Sequence, residues 1–166
     1  MRTTLPWLAL AAAVVALVAT RGGGSSPPAP GSTLHAQVLR VVDGDTIQVR
    51  LDGGAVERVR YIGIDTPESV KPNTPVQCYA EKASHYNASL VDGRAVTLRL
   101  DAEQRDRYGR LLAYVYTSRA FVNRVLVARG YARTLTIPPN VAHADEFARL
   151  ARRARQNDVG LWRTCA

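Results

Sequence analysis

Apolar and polar positions alternate with a period near two in several short runs of this chain. That period sends successive side chains to opposite faces of a strand. Residues 36–42, AQVLRVV, alternate loosely, and residues 46–51, TIQVRL, do so cleanly. The triplet DGD at 43–45 supplies a tight turn between them, and DGG at 52–54 supplies another before AVERVRYIGI at 55–64. These segments predict a three-stranded meander. Two later runs, AVTLRL at 95–100 and RLLAYVYT at 110–117, predict a fourth and a fifth strand. Five short strands in near succession suit a small closed barrel better than an open sheet.

A helical period takes over elsewhere. Val76, Tyr79, Ala80, Ala83 and Leu90 recur behind Pro75 and predict a helix over 76–90. Phe121, Val122, Val125, Leu126 and Val127 predict a second, with Ser118 as its cap and Gly130 as its stop. A third is expected over 143–156, burying Phe147, Leu150, Ala151 and Ala154, with Asp145 and Glu146 at the positive end of its dipole. Arg149, Arg152, Arg153 and Arg155 flank that stripe, and a solvated helix face is their expected role. The fold class is therefore α+β.

The N-terminus follows neither period. Met1 and Arg2 precede an apolar run at 5–20, too short for a comfortable membrane span of roughly 20 residues. Residues 1–21 are expected to be an export signal or an uncleaved anchor, residues 22–33 a Gly/Pro/Ser-rich linker, and residues 34–166 the folded domain. A secreted or extracytoplasmic location follows, with the run at 5–20 as the tether if it is retained. The 166 residues carry a formal net charge of +8, which favours polyanionic partners. Cys78 and Cys165 have no zinc-like spacing; in an oxidising compartment they are expected to pair, with two free thiols as the alternative. No stable protein partner is implied, so a monomer is expected.

Charge placed against apolar strands marks the candidate chemistry. Asp45 shares a face with Ile47, Val49 and Leu51, so an inward apolar face makes Asp45 an inward carboxylate. Such a group needs a partner. In RYIGIDTPE, residues 60–68, Arg60 and Asp65 lie on opposite faces of an unbroken strand; they converge only if the chain bends, and Gly63 permits that. Asp45 and Asp65 together would form a hard-oxygen site suited to Ca²⁺ or Mg²⁺, against the plainer reading of a salt-bridged turn. DRYGR, 106–110, brings Arg110 to the start of a strand. Two guanidiniums beside a metal and a spare carboxylate, Glu68, suit phosphoryl chemistry.

The ordered set DGDT, RYIGIDTPE, EKAS, DRYGRLLAYVY, VNRVLVARGYA and GLW resembles the staphylococcal nuclease (thermonuclease) family over roughly residues 36–162. The resemblance implies a five-stranded OB-fold barrel with three helices. It implies Ca²⁺ held by Asp45, Asp65 and the Thr66 carbonyl, Glu68 as general base, and Arg60 and Arg110 as the phosphate-binding and charge-stabilising pair. Arg107 and Tyr108 match substrate-contacting positions, with Arg107 standing where the family prototype has a lysine. The implied reaction is Ca²⁺-dependent hydrolysis of DNA and RNA to 3′-phosphate products. A non-catalytic OB-fold module that binds nucleic acid is the alternative. TLTIPPN, 134–140, lacks the prototype's pocket tyrosines, which implies poorer base stacking, and the Cys78–Cys165 pair would be an added staple.

Overall fold

The computed structural model describes residues 29–68 and 75–165; the apolar run at 5–20 and most of the expected linker lie outside the described residues. The elements, in chain order, are β1 (Thr33–Asp43), β2 (Thr46–Leu51), β3 (Val56–Tyr61), β4 (Gly63–Asp65), α1 (Ala80–Val91), β5 (Ala95–Arg99), β6 (Leu111–Tyr116), α2 (Val122–Ala128), β7 (Arg133–Leu135), α3 (Ala144–Gln156) and α4 (Leu161–Thr164). Among the described residues no helix is long and apolar enough to cross a membrane.

Five strands close a barrel in the order β1-β2-β3-β6-β5, as the five alternating runs predict. Neighbours are antiparallel except β3 and β6, which run parallel. β1 is long enough to pair with both β2 and β5, and register shifts after Val38 and Val41 bend it between them. Period-two alternation sends Val38, Ile47, Val49, Val59, Leu98 and Val115 inward, each almost wholly buried. Phe147 of α3 and Val122 and Leu126 of α2 join the same core. Each large apolar side chain so buried contributes roughly 1.5–3 kcal/mol.

The predicted third strand does not run through to Ile64. β3 ends at Tyr61, the chain turns at Ile62, and Gly63 (φ +79°) starts β4, which leaves the barrel and pairs with β7. All three residues of β7 are exposed, so no alternation announced it. Asn123, fully buried, pins the break: its Nδ2–H donates to the Ile62 carbonyl at 2.9 Å while its Oδ1 accepts the Val115 N–H at 2.9 Å. A Cβ on Gly63 would stand 2.8 Å from Cε2 of Phe147. Gly63→Ala therefore adds left-handed strain of about 1–2 kcal/mol to overpacking of about 1–3 kcal/mol. Thermal unfolding should show a loss of about 2–5 kcal/mol, and an unchanged melting temperature would contradict this account of the break.

The helices differ from their sequence-based limits for local reasons. α1 starts at Ala80 rather than 76, because Tyr79 takes a left-handed conformation (φ +73°) that no helix continues through, and Val76 is exposed rather than core. α2 has Phe121 at its N-cap, and the polar cap falls to no side chain; the Thr117 hydroxyl, not Ser118, accepts the N–H groups of Arg119 and Ala120 upstream. There are four described helices, not three. The extra one, α4, forms because Leu161 is buried and its N–H donates to the Gly130 carbonyl at 2.8 Å, docking the C-terminal end onto the α2 stop.

Candidate active site

The turn between β1 and β2 presents Asp45, which continues the inward face of Ile47 and Val49 and is itself buried. Gly44 lets another segment come down on this turn: a Cβ there would lie 2.6 Å from Oγ1 of Thr66. Thr66 uses that space. Its N–H and its hydroxyl donate to Oδ2 of Asp45 at 2.7 and 3.0 Å, and the Thr46 hydroxyl donates to Oδ1 at 3.3 Å.

Arg60, the last but one residue of β3, reaches the same carboxylate, with Nη1 3.0 Å from Oδ2 of Asp45. Its Nη2 donates to Oδ1 of Asp65 at 2.9 Å, and its Nη1 also donates to the carbonyls of Ile64 and Tyr61 at 2.9 and 3.2 Å. The guanidinium thus bridges two aspartates, one buried and one exposed, from a chain that would hold Arg60 and Asp65 apart were it straight. The strand break at Gly63 is what closes the bridge.

Asp43, read from the sequence only as part of a turn, joins these groups. Its Oδ1 accepts the Asp45 N–H at 3.0 Å, and its carbonyl accepts Nδ2–H of the buried Asn87 at 3.0 Å. Asn87 in turn accepts the Tyr61 hydroxyl at 3.0 Å, so α1 fixes both the turn and the end of β3. Burial pushes the Asp45 carboxyl up to about pH 7, with Asp43 adding to the rise while Arg60 and the Thr66 donors oppose it.

Glu68 and Arg110 complete a recess of about 180 Å³ that Asp43, Asp45, Arg60 and Asp65 also line. Arg110 is aimed by Asp106. One Asp106 oxygen accepts the N–H groups of Tyr108 and Arg110 at 2.9 Å each, and the other accepts Nε–H of Arg110 at 2.6 Å. DRYGR is thus an aspartate-pinned turn whose product is a fixed guanidinium. A larger cleft of about 500 Å³, bordered by Arg60 and Arg110 as well, is walled by Arg107, Tyr108, Leu112, Leu135 and Ile137. Tyr108 is exposed, with Arg107 and Arg110 over its ring at 4.8 and 5.5 Å and Nη2–H of Arg107 donating to its hydroxyl at 2.6 Å. Leu135 and Ile137 are both exposed and line this cleft.

Cys78 and Cys165 form a disulfide across 87 positions, and Gln77, next to Cys78, accepts the Glu68 N–H. The expected pairing is present, and among the described residues there is no free cysteine.

Among the described residues no group of three or more His, Cys, Asp or Glu side chains converges as a cage for a metal. The donors at hand are oxygens: the carboxylates of Asp45 and Asp65 and the carbonyl of Thr66. This set suits a hard cation with water in its remaining positions and does not suit zinc. Burial raises the Asp45 pKa by disfavouring its charged form, and a cation placed beside the carboxylate would offset that cost. The residues fit Ca²⁺.

Sequence reasoning reached Asp45, Arg60, Asp65, Thr66, Glu68, Arg107, Tyr108 and Arg110. It missed Asn87 and Asn123, and it saw Asp43 and Asp106 only as parts of turns. A signal existed for the two asparagines: Asn87 sits on the stripe Ala80, Ala83, Val91, and Asn123 on the stripe of Leu126 and Val127. A polar residue on a buried helical stripe must be hydrogen-bonded to something specific.

A family model described as "Staphylococcal nuclease homologue" matches residues 58–164. A thermonuclease of Staphylococcus intermedius is 40% identical over 159 residues, covering 93% of this chain and 94% of that protein. A thermonuclease of Staphylococcus hyicus is 40% identical over 126 residues, covering 76% and 74%. The endonuclease YncB of Bacillus subtilis (strain 168) is 41% identical over 125 residues, covering 74% of this chain and 59% of its own length.

Proposed function

Because this chain belongs to the staphylococcal nuclease family, we propose that it is a nuclease, a Ca²⁺-dependent hydrolase of the phosphodiester bonds of DNA and RNA. The observation that carries this reading is the meeting of Glu68, Arg60 and Arg110 with Asp45 and Asp65 around one recess. A module that only bound nucleic acid would have no use for a carboxylate between two guanidiniums.

Asp45, Asp65 and the Thr66 carbonyl would hold the Ca²⁺, which when bound supplies positive charge against the charge that builds on the phosphate. Arg60 and Arg110 fork the non-bridging phosphate oxygens and stabilise them as the transition state forms. Glu68 takes a proton from the attacking water. The bond to the 5′ oxygen breaks, and a 3′-phosphate remains. Arg107 and Tyr108 receive a neighbouring phosphate, and Leu135 and Ile137 offer the base an apolar wall without a ring to stack on. The disulfide and the apolar leader together support an exported protein, tethered if the run at 5–20 is retained.

Incubating the purified full chain with single-stranded DNA and with RNA in Ca²⁺, in Mg²⁺ and in EDTA tests this. Cutting of both polymers in Ca²⁺ that stops in EDTA is expected. Undiminished cutting in EDTA would remove the metal from the scheme, and tight binding without cutting would turn the assignment to a binding module.

A further inference from the structure

Residues 75–78 lead from the site into α1. All four are exposed, Val76 included, so no apolar burial anchors the segment. Among the described residues, two attachments tie it to the site and to the C-terminal helix. One is reciprocal: the Glu68 N–H donates to Oε1 of Gln77 at 2.9 Å, and the Gln77 N–H donates to the Glu68 carbonyl at 3.0 Å. The other is the Cys78–Cys165 bond, one residue along. Cys165 directly follows α4, whose Leu161 is buried and whose Trp162 lies between the guanidiniums of Arg133 and Arg155 at 5.6 and 5.7 Å. A covalent path therefore runs from a core-docked helix through Cys165 and Cys78 to Gln77, and from Gln77 by paired hydrogen bonds to the backbone of Glu68.

We propose that Gln77, held in place by the Cys78–Cys165 disulfide, is a positioning residue that fixes the backbone of Glu68 and so aims its carboxylate into the recess. The proposal rests on the reading of Glu68 as the base. The physical reason is that Glu68 lies beyond the end of β4, and its backbone N–H and carbonyl both pair with Gln77. Two short hydrogen bonds to a neighbour that is itself covalently tied supply what a strand would supply elsewhere. The Gln77 carbonyl also accepts the Ala80 N–H at 3.0 Å, so the same residue sets the first turn of α1.

Steady-state kinetics on single-stranded DNA in saturating Ca²⁺ test it, with Gln77→Ala, Gln77→Glu and the Cys78→Ser/Cys165→Ser double variant, each also built on Glu68→Gln. Misplacing a reacting group by about 1 Å can cost about a hundredfold. Gln77→Ala should lower kcat roughly tenfold to a hundredfold, with KM and melting temperature little changed. Gln77→Glu, which keeps a side-chain oxygen at the same reach, should restore most of kcat. The double cysteine variant, assayed well below its melting temperature, should lose kcat like Gln77→Ala. On the Glu68→Gln background none of these changes should lower kcat further. Full kcat in Gln77→Ala beside a crippled Glu68→Gln overturns the positioning role alone. An equal loss on both backgrounds also overturns it, because the effect would not pass through Glu68. Wild-type turnover in Glu68→Gln removes the base itself, and the proposal falls with it.

Discussion

Glu68→Gln should lower kcat by about a hundredfold to ten-thousandfold, the range a positioned general base supplies, while the melting temperature stays near that of the wild type. The change keeps the size of the side chain and the backbone bonds to Gln77, and removes the capacity to take a proton. Glu68 is half-buried and lines the recess rather than the barrel core, so the isosteric change leaves the core packing intact. Metal-dependent binding of a nucleotide should persist, since the carboxylates assigned to the cation are Asp45 and Asp65. Parallel kinetics and thermal unfolding of the two proteins decide it: near-normal turnover would leave the site without its base.

Arg60→Ala should damage both stability and activity, for separable reasons. Asp45 keeps 6% of its side-chain surface exposed and Arg60 13%, so their pair is nearly dry. Removing one member of a buried pair costs about 3–5 kcal/mol, mostly because the other charge is left stranded. The bond to Asp65 adds little, as that carboxylate is 55% exposed and water screens it. Two carbonyls, of Tyr61 and Ile64, lose their donor as well. Turnover should fall by at least about a hundredfold, the loss seen for one preorganised donor to a developing charge. Adding Asp45→Asn should recover much of the stability and none of the turnover. Recovery of both together would mean that Arg60 serves only to neutralise Asp45.

The barrel was legible because its strands carry period-two alternation with one face fully buried, as in Ile47 and Val49 or Leu98 and Val115. β7 was not, since all three of its residues are exposed and its place in the fold is set by pairing with β4, Asp65 opposite Arg133. The start of α1 was misplaced because a disulfide and a left-handed Tyr79 set it, and neither leaves a periodic trace. At the site, the sequence announced the charges and Gly63, the residue that lets Arg60 meet Asp65. It did not announce what holds them. Asn87 and Asn123 act at separations of 44 and 61 residues, and such pairings are written in the tertiary fold rather than in any local pattern. Asp106 was in view as part of DRYGR, yet its work in aiming Arg110 follows from an aspartate turn whose bonds only the fold displays.

Mapping the ends left by wild-type cleavage of a single-stranded DNA in Ca²⁺ tests most directly the claim that this recess breaks a phosphodiester. Fragments with 3′-phosphate and 5′-hydroxyl ends are the predicted result. A folded, Ca²⁺-supplied protein that leaves the strand intact, or that yields 5′-phosphate ends, would contradict it.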